Sequence, residues 1–482
     1  MILVSFVFCL LLFVAIGVSS IFKGQKTSED YLLASQDIKP WLVALSAIAT
    51  NNSGYMFVGQ IGFTYKYGLH SIWLMIGWIA GDFLMSLFVH RKLRVNSEKH
   101  QALSFADTIS RWNGTDYKKL RFIGGLITLV FLGVYAAAQL SAGSKALHVL
   151  FGWDYSMGAI IGSVIVLLYC FAGGIRASIW TDAAQSFVMI AAMALMLFMA
   201  VSELGGVSSF VGALYEVSPE YMDLFPSGHP WGDAYIGPFL FVLGWFFAGI
   251  GVIGQPHIMV RFMTMDQPKD MFKARVYYYS WYTAFYVMTI VTAFAARLLI
   301  PETSEFDSEL ALPTLAHQLL PEVLVGLVLA GLFSATMSTA DSQILACTAA
   351  ITNDLAPKKL SGYLLTKLST VFVTALALFI ALSDNQSVFS LVLIAWSALG
   401  SAFGPLLIVY ALKQRVSEPL ALTMMVGGIG VMLLWRYFDL NDITYETAPG
   451  IIAGLLIFVI GKALSQVLSG DNSSDNAENT AG

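Results

Sequence analysis

The chain has 482 residues, of which 57% are hydrophobic and only 12% are Asp, Glu, Lys or Arg, about half the charged share of a soluble domain. That much apolar surface excludes a soluble globular core, and a net charge of −5 offers no footing for a nucleic-acid partner. The few charges lie in short clusters between apolar stretches of about 18 residues or more, the length a helix needs to cross roughly 30 Å of hydrocarbon. The expected class is an all-α polytopic membrane protein.

In chain order, the first apolar run, Met1 to Ile21, carries its positive residues, Lys23 and Lys26, after it and none before it. It therefore reads as a retained first helix with its N-terminus outside, and not as a cleaved signal. Apolar windows then predict thirteen spans, at 1–22, 40–64, 69–90, 121–149, 155–174, 181–203, 235–259, 276–299, 320–352, 362–383, 387–412, 418–436 and 447–468. On that arrangement all 26 lysines and arginines except Lys66, Lys145, Arg297 and Arg436 fall on one side, as the positive-inside rule requires. Arg94, Arg176, Arg261, Arg275, Lys358 and Lys359 are thus placed in the cytoplasmic connections. The expected location is a bacterial inner membrane, with the N-terminus outside and the C-terminus cytoplasmic.

The largest exterior loop, Leu204 to Asp233, lacks Lys and Arg and has room for a short helix or lid. Residues 469–482 read as a disordered cytoplasmic tail, and the sequon at Asn113 is discounted because it falls on the cytoplasmic side. Cys9, Cys170 and Cys347 sit in apolar segments without CxxC spacing, which points to packing and not to a disulfide or metal site. Trp73, Trp78, Tyr278, Trp281, Trp435 and Tyr437 fall at span ends and read as interfacial anchors.

Two spans contain stretches that a plain lipid-facing helix would not choose. The second holds Thr50-Asn-Asn-Ser-Gly54, and the seventh runs Gly244-Trp-Phe-Phe-Ala-Gly-Ile-Gly-Val-Ile-Gly-Gln-Pro-His257. Glycine weakens a helix by about 1 kcal/mol and proline by about 3 kcal/mol relative to alanine. Unwound backbone at membrane depth needs protein or water as its hydrogen-bond partner, and paired breaks in two halves point to a secondary transporter's site; close packing of glycine-softened helices is the alternative. Counting from each break predicts a single domain over 1–468, with a five-plus-five inverted repeat at about 40–203 and 235–412. The helices at 1–22, 418–436 and 447–468 are extra.

Ionisable groups at membrane depth are costly and so candidates for function; here they are Asp82, Asp182 and Asp341. Asp182 is also placed to act as a first-turn acid of its helix. In the ninth span Ser338, Asp341 and Ser342 share one helical stripe, with Thr339 beside them. Hydroxyls, one carboxylate and carbonyls from an unwound partner are oxygen ligands of the kind a hard cation takes, and back-bonding to the preceding turn is the structural alternative.

At these polar clusters the sequence resembles the sodium:solute symporter family, in its sodium/proline branch. The matching pieces are Ala47 to Gly54, Gly173-Gly174 with Trp180-Thr-Asp-Ala-Ala-Gln185, Gly254-Gln-Pro-His-Ile-Met-Val-Arg-Phe-Met263, Met337-Ser-Thr-Ala-Asp-Ser-Gln-Ile-Leu345, and Ala395-Trp396 with Gly400-Ser-Ala-Phe-Gly-Pro405. The resemblance implies a LeuT-like fold with discontinuous second and seventh spans, working by alternating access with sodium as the coupling ion; no residue cluster reads as a cofactor site, and a monomer is the expected working unit. It implies a sodium site from the carbonyls of Ala49, Asn52 and Ala335 with the hydroxyls of Ser338 and Thr339. A second sodium site, present in some members, maps to Asp182, Ser338, Asp341 and Ser342. The solute would lie near Asn51, Ser53, Gly54, Tyr55, Met56, Tyr135, Gln139, Ala248, Val252 and Gln255. The proline-type pattern carries aspartate at the position of Asn51, tryptophan at that of Tyr55, and aromatics near Ala248 and Val252.

The expected function is sodium-coupled symport of proline or a related amino acid. Another amino acid, a betaine, a carboxylate or a sugar is the alternative solute, and a proton shared by Asp182 and Asp341 the alternative coupling ion. An intramembrane aspartyl protease would want Gly-x-Gly-Asp where this chain has Ile79-Ala-Gly-Asp82, and a solute receptor would want a signalling module that the segment after Lys462 is too short to hold.

Overall fold

The computed structural model describes residues 1–301, 306–356, 362–383 and 387–478, and leaves aside the side chains of Ala146, Leu150 and everything from 467 onward. Lys358 and Lys359 lie outside the described residues, as do the side chains of the expected tail. Among the described residues there is no β-strand, only an isolated pairing of Ile38 with Met265.

The helices that matter below are α1 (Ile2–Ser19), α2 (Pro40–Gly54), α3 (Gln60–Tyr67), α4 (Ile72–Phe88), α5 (Lys118–Phe151), α6 (Tyr155–Glu203), α7 (Ile236–Ile250), α8 (Pro256–Met263), α9 (Met271–Leu299), α10 (Glu322–Ala349), α11 (Tyr363–Ser383), α12 (Val388–Ala411), α13 (Glu418–Tyr437) and α14 (Thr447–Glu478). Eleven stretches among the described residues are long and apolar enough to cross a membrane. Two of them, Pro40–Phe88 and Tyr155–Glu203, run for 49 residues each, more than twice the length a crossing needs. Each contains a glycine in the left-handed region, Gly68 at φ 78° and Gly174 at φ 58°, where an L side chain is strained. A Cβ at Gly174 would also stand 2.3 Å from the Tyr31 carbonyl oxygen.

α10 lies at the centre, packed on α1, α2, α5 and α6, and its residues from Val328 to Ala349 are all buried. A helix surrounded by protein can carry hydroxyls if its own backbone satisfies them. Ser334 donates to the Ala330 carbonyl at 2.6 Å and Thr348 to that of Ile344 at 2.8 Å. Thr348 also reaches Thr370 on α11 at 3.2 Å, and the hydroxyls that reach α2 lie between Ser334 and Thr348.

Both expected breaks occur. α2 ends at Ser53, whose φ of 43° and ψ of 178° turn the chain before a wide helical turn over Tyr55–Gly59. After α7 the backbone tightens over Gly251–Gly254 and becomes extended at Gln255 (φ −93°, ψ 102°), so that Pro256 opens α8 at a helix start where its missing N–H costs nothing. The C-terminal end of α8 is tied to the start of α2 by two backbone bonds, Ile38 N–H to Thr264 O at 3.2 Å and Asp266 N–H to Ile38 O at 2.9 Å.

The loop 204–233 holds a short helix, Val207–Leu214. Its remainder lies against the α3–α4 connection, with the Tyr221 carbonyl accepting from Leu69 N–H at 2.8 Å and the Leu224 carbonyl from Trp73 Nε1 at 2.8 Å. A cavity of about 600 Å³ lies beneath it, bordered by Phe63, Lys66, His70, Glu220, Asp223 and His229.

Candidate functional site

The last turn of α2 before its break faces the middle of α10. Ser338 Oγ lies 3.2 Å from the Ala49 carbonyl and 3.2 Å from that of Ala335, while Thr339 Oγ1 lies 2.9 Å from the Thr50 carbonyl and 3.1 Å from that of Ala335. Five oxygens of neutral groups therefore converge, all on buried residues. Of the sequence candidates, Ala49, Ala335, Ser338 and Thr339 meet here, and the Thr50 carbonyl joins them. Asn52 is buried one residue before the break, and its carbonyl accepts from Tyr55 N–H. Oxygens around a small cation must be this close to one another, and an uncharged set holds the ion loosely enough to release it.

A second, charged cluster adjoins the first through Ser342, whose Oγ is 2.9 Å from Thr50 Oγ1 and 2.6 Å from the Ser338 carbonyl. Asp182 Oδ2 accepts from Ser46 Oγ at 2.6 Å, and Asp341 accepts from Tyr169 OH and Ser178 Oγ at 2.7 Å each. Between the two carboxylates sits the guanidinium of Arg261, 3.5 Å from Asp182 Oδ2 and 3.4 Å from Asp341 Oδ1. It also donates to Ser178 Oγ at 2.5 Å and to Ser342 Oγ. Asp182 is no helix-start acid: it lies deep inside α6, wholly buried. The Ser338 hydroxyl turns to the neutral cluster, so only Asp182, Asp341 and Ser342 of the second candidate set come together, around a cation the protein itself supplies.

The candidate solute residues lie at and around the α2 break. Asn51 Nδ2 donates to Tyr278 OH at 2.6 Å, Gly54 N–H to Gln139 Oε1 at 2.8 Å, and Tyr135 OH to Ser53 Oγ at 3.5 Å. Tyr55 stacks on Phe389 at 5.5 Å between ring centres and reaches Trp78 at 5.7 Å. Met56 is buried beside it. Ala248 and Val252 line the seventh-span break, but their neighbour Gln255 is committed to it: its Nε2 donates to the carbonyls of Gly251 at 3.2 Å and Trp396 at 3.0 Å. Trp396 Nε1 in turn donates to the Ala248 carbonyl at 3.0 Å. The Gly251 carbonyl of the tightened stretch and the Ala248 carbonyl near the end of α7 are thus held by the side chains of Gln255 and Trp396.

A model of the sodium:solute symporter family matches residues 31–428. The chain belongs to this family. A curated sodium/proline symporter of Salmonella typhimurium is 30% identical over 474 residues, covering 95% of this chain and 92% of its own. The high-affinity proline transporter of Bacillus subtilis is 28% identical over 93% of this chain and 95% of its own. Among solved structures, an outward-open sodium-coupled sialic acid symporter superposes with a TM-score of 0.81 at 18% identity, over 96% of this chain and 98% of that one. MhsT in complex with L-phenylalanine gives 0.58 at 12% identity, over 86% and 98%. At these identities the structures speak for the fold alone. The symporter is thus a multi-pass membrane transporter and not an enzyme.

Several side chains of the symporter stand elsewhere than charge counting and hydropathy place them. Arg261 is fully buried, Arg94 and Arg176 nearly so; Arg176 pairs with Asp30 at 2.7 Å, and Arg94 Nε donates to the Met265 carbonyl at 2.5 Å. The positive-inside rule counts residues and cannot see one folding back onto a carboxylate. Trp78, Tyr278 and Trp281 are buried and not interfacial anchors, with Trp78 against Tyr55 and Tyr278 accepting from Asn51, whereas Tyr437 remains exposed. His257, in the first turn of α8, is wholly buried with no hydrogen-bond partner on either ring nitrogen, 5.5 Å from the Tyr135 ring. Its place between Pro256 and the arginine of the same motif was the available signal.

Proposed function

We propose that the symporter uses an inward sodium gradient to import proline or a closely related amino acid. The supporting observation is the convergence of the Ser338 and Thr339 hydroxyls on the carbonyls of Ala49 and Thr50, in the last turn before the α2 break at Ser53. A cation entering there would turn the two hydroxyl protons outward and pin the end of α2 to α10. Because Asn51, Ser53 and Gly54 follow directly in the chain, ordering this turn presents their polar groups to the solute. Ion and solute affinities then rise together, a reciprocal coupling of typically about 1–3 kcal/mol.

The second cluster takes a different part in this reading. Asp182 and Asp341 share Arg261, so the cluster starts its cycle with one positive charge in place, and a single sodium at the neutral cluster accompanies each solute. Proline is favoured by the relatives, which are proline transporters, while Asn51, Tyr55, Ala248 and Val252 depart from the proline-type lining and admit another small amino acid. The remaining parts of the reading are thirteen crossings, obtained by taking each 49-residue stretch as two, inverted repeats at 40–203 and 235–412, an outside N-terminus, a cytoplasmic C-terminus, an inner-membrane location and a monomeric working unit.

The test is uptake of radiolabelled proline, other amino acids, betaines and sugars into proteoliposomes, with and without an inward sodium gradient. Sodium-stimulated proline uptake that unlabelled proline suppresses is expected. Equal uptake of every solute with and without sodium would sink the proposal.

A further inference from the structure

One buried carboxylate stands apart from the others. Among the described residues, every other buried Asp or Glu except Asp354 has an arginine or lysine nitrogen within 3.5 Å, and Asp354 accepts from Ser104 Oγ at 2.6 Å and from Asn353 Nδ2 at 3.0 Å. Asp82, wholly buried on α4, has neither: both its carboxylate oxygens lack a hydrogen-bond partner. Its neighbour Gly81 lies so close to α7 that a Cβ would meet the Phe246 carbonyl oxygen at 2.1 Å, so the α4 backbone is held against α7 and the carboxylate cannot reach solvent by a small shift. The groups that act on it electrostatically are the phenols of Tyr278, Tyr279 and Tyr282, all on α9. Neither α2 nor α7 presents a charged side chain beside it. The nearest cation on α9, Arg275, is bonded to Ser86, with Nε to Oγ at 3.0 Å and a terminal nitrogen to the carbonyl at 2.9 Å.

An ionised carboxylate in such a place costs several kcal/mol, and the physical response is to take up a counter-charge. A metal cation would draw several oxygen ligands together, as at the neutral cluster, whereas the groups that face Asp82 are two phenols, Tyr278 and Tyr279, and neither of its carboxylate oxygens makes a well-formed hydrogen bond. A proton needs no such cage. The surroundings also form a polar ladder: Asn51 donates to Tyr278, Tyr278 and Tyr279 face Asp82, and Ser86, one turn along α4 from Asp82, leads to half-buried Arg275. The ladder runs from the solute region to the end of α9 that carries the exposed Lys273.

We propose that Asp82 is a proton-binding site, loaded when α4, α7 and α9 are closed around it and unloaded when they part, so that transport carries a proton-linked step distinct from the sodium site. On loading, the carboxylate takes a proton from water and becomes a neutral acid; on unloading it returns that proton to water and is left ionised and hydrated. Binding of the proton rests on the geometry of Asp82 alone, and its linkage to transport rests on the sodium-symport reading.

The test separates the two. Infrared spectra of the purified, lipid-reconstituted protein are recorded as the pH is raised, with difference spectra against Asp82→Asn. A protonated-carboxyl band is expected to persist in the parent protein well above the ordinary aspartate range near pH 3.9, to be missing in D82N, and to move in frequency in Asp82→Glu, which supplies the reading if D82N does not fold. A parent spectrum without the band, or a band unaltered by both substitutions, overturns the proposal. For the linkage, log KM for sodium-driven proline uptake is expected to change with pH by one proton's slope, about tenfold per unit, and to be flat in D82N; an unchanged pH profile in D82N overturns the linkage. Absence of any sodium-driven uptake in the parent protein would instead remove the symport reading and leave the infrared result standing.

Discussion

The two oxygen clusters on α10 are a few residues apart and solve opposite problems. The one at Ala49, Thr50, Ser338 and Thr339 contains no charge and satisfies itself with hydroxyl-to-carbonyl bonds. The one at Asp182, Asp341 and Ser342 contains two carboxylates and is held by Arg261. A neutral cluster can gain and lose an ion without leaving a buried charge behind, whereas a charged cluster must always be compensated. The first is therefore suited to a travelling cation, and the second to a tethered one.

Removing the tethered cation is the severest way to break that contrast. Arg261→Gln leaves two carboxylates buried and unpaired, and a loss of about 3–5 kcal/mol is expected from breaking such an arrangement. Thermal unfolding of the detergent-purified variant in choline chloride measures it, and adding sodium is expected to recover stability to a greater extent than in the parent protein. Equal sodium stabilisation of both would show that no free cation can replace the guanidinium.

Thr339→Ala removes one oxygen from the neutral cluster and leaves the charged one whole. Loss of a hydroxyl contact to a charged group is worth about 1.5–3 kcal/mol, so half-saturation by sodium is expected to rise about 10- to 100-fold, with maximal uptake at saturating sodium largely kept. An unchanged sodium dependence would remove the neutral cluster from the coupling mechanism.

The fit between α2 and α10 sharpens the comparison further, because both clusters need the two helices in register. A Cβ on Gly54 would stand 2.7 Å from Thr336 Cγ2, and overpacking of this kind costs about 1–3 kcal/mol. Gly54→Ala is expected to weaken sodium and solute binding together, and Thr336→Ser, which deletes the opposing methyl, to restore part of both in the double variant.

The smallest effect lies outside the membrane. Asp233 caps the turn over the 600 Å³ cavity by accepting from Gly228 N–H at 3.0 Å and His229 N–H at 2.7 Å, and these bonds hold its carboxyl below the ordinary aspartate range. A depressed value means the cap is fully present above the unfolded aspartate value and is lost as pH falls through the folded one. Protection of the amides at 226–236, taken from hydrogen exchange relative to the intrinsic rate at each pH, is expected to fall on acidification in the parent protein and to be already low in Asp233→Asn, with sodium affinity unchanged in both.

Much of the architecture was legible because membrane helices obey one-dimensional rules. Span length and glycine content located the two breaks, at Ser53 and at Gly251–Gln255, since unwound backbone at membrane depth needs small and polar residues wherever it occurs. The hydroxyl and carboxylate pattern of Ser338, Thr339, Asp341 and Ser342 likewise pointed to the ninth span as the helix that brings oxygens to α2. The misplaced residues share one cause. Arg261, Trp78 and Tyr278 were assigned by the depth at which they leave the chain, but a long side chain travels several ångströms from its own backbone, and only its partner decides the direction.

The sequence by itself determined that this chain is a bundle of membrane helices with two broken ones facing a hydroxyl-rich third, because hydrophobic length and helix-breaking residues act locally. The tertiary structure alone decided which oxygens meet, that the Arg261 guanidinium lies between Asp182 and Asp341, and that Asp82 has no charged partner. Those outcomes depend on distances between residues tens to hundreds of positions apart, and in a low-dielectric interior a few ångströms separate a compensated charge from an isolated one.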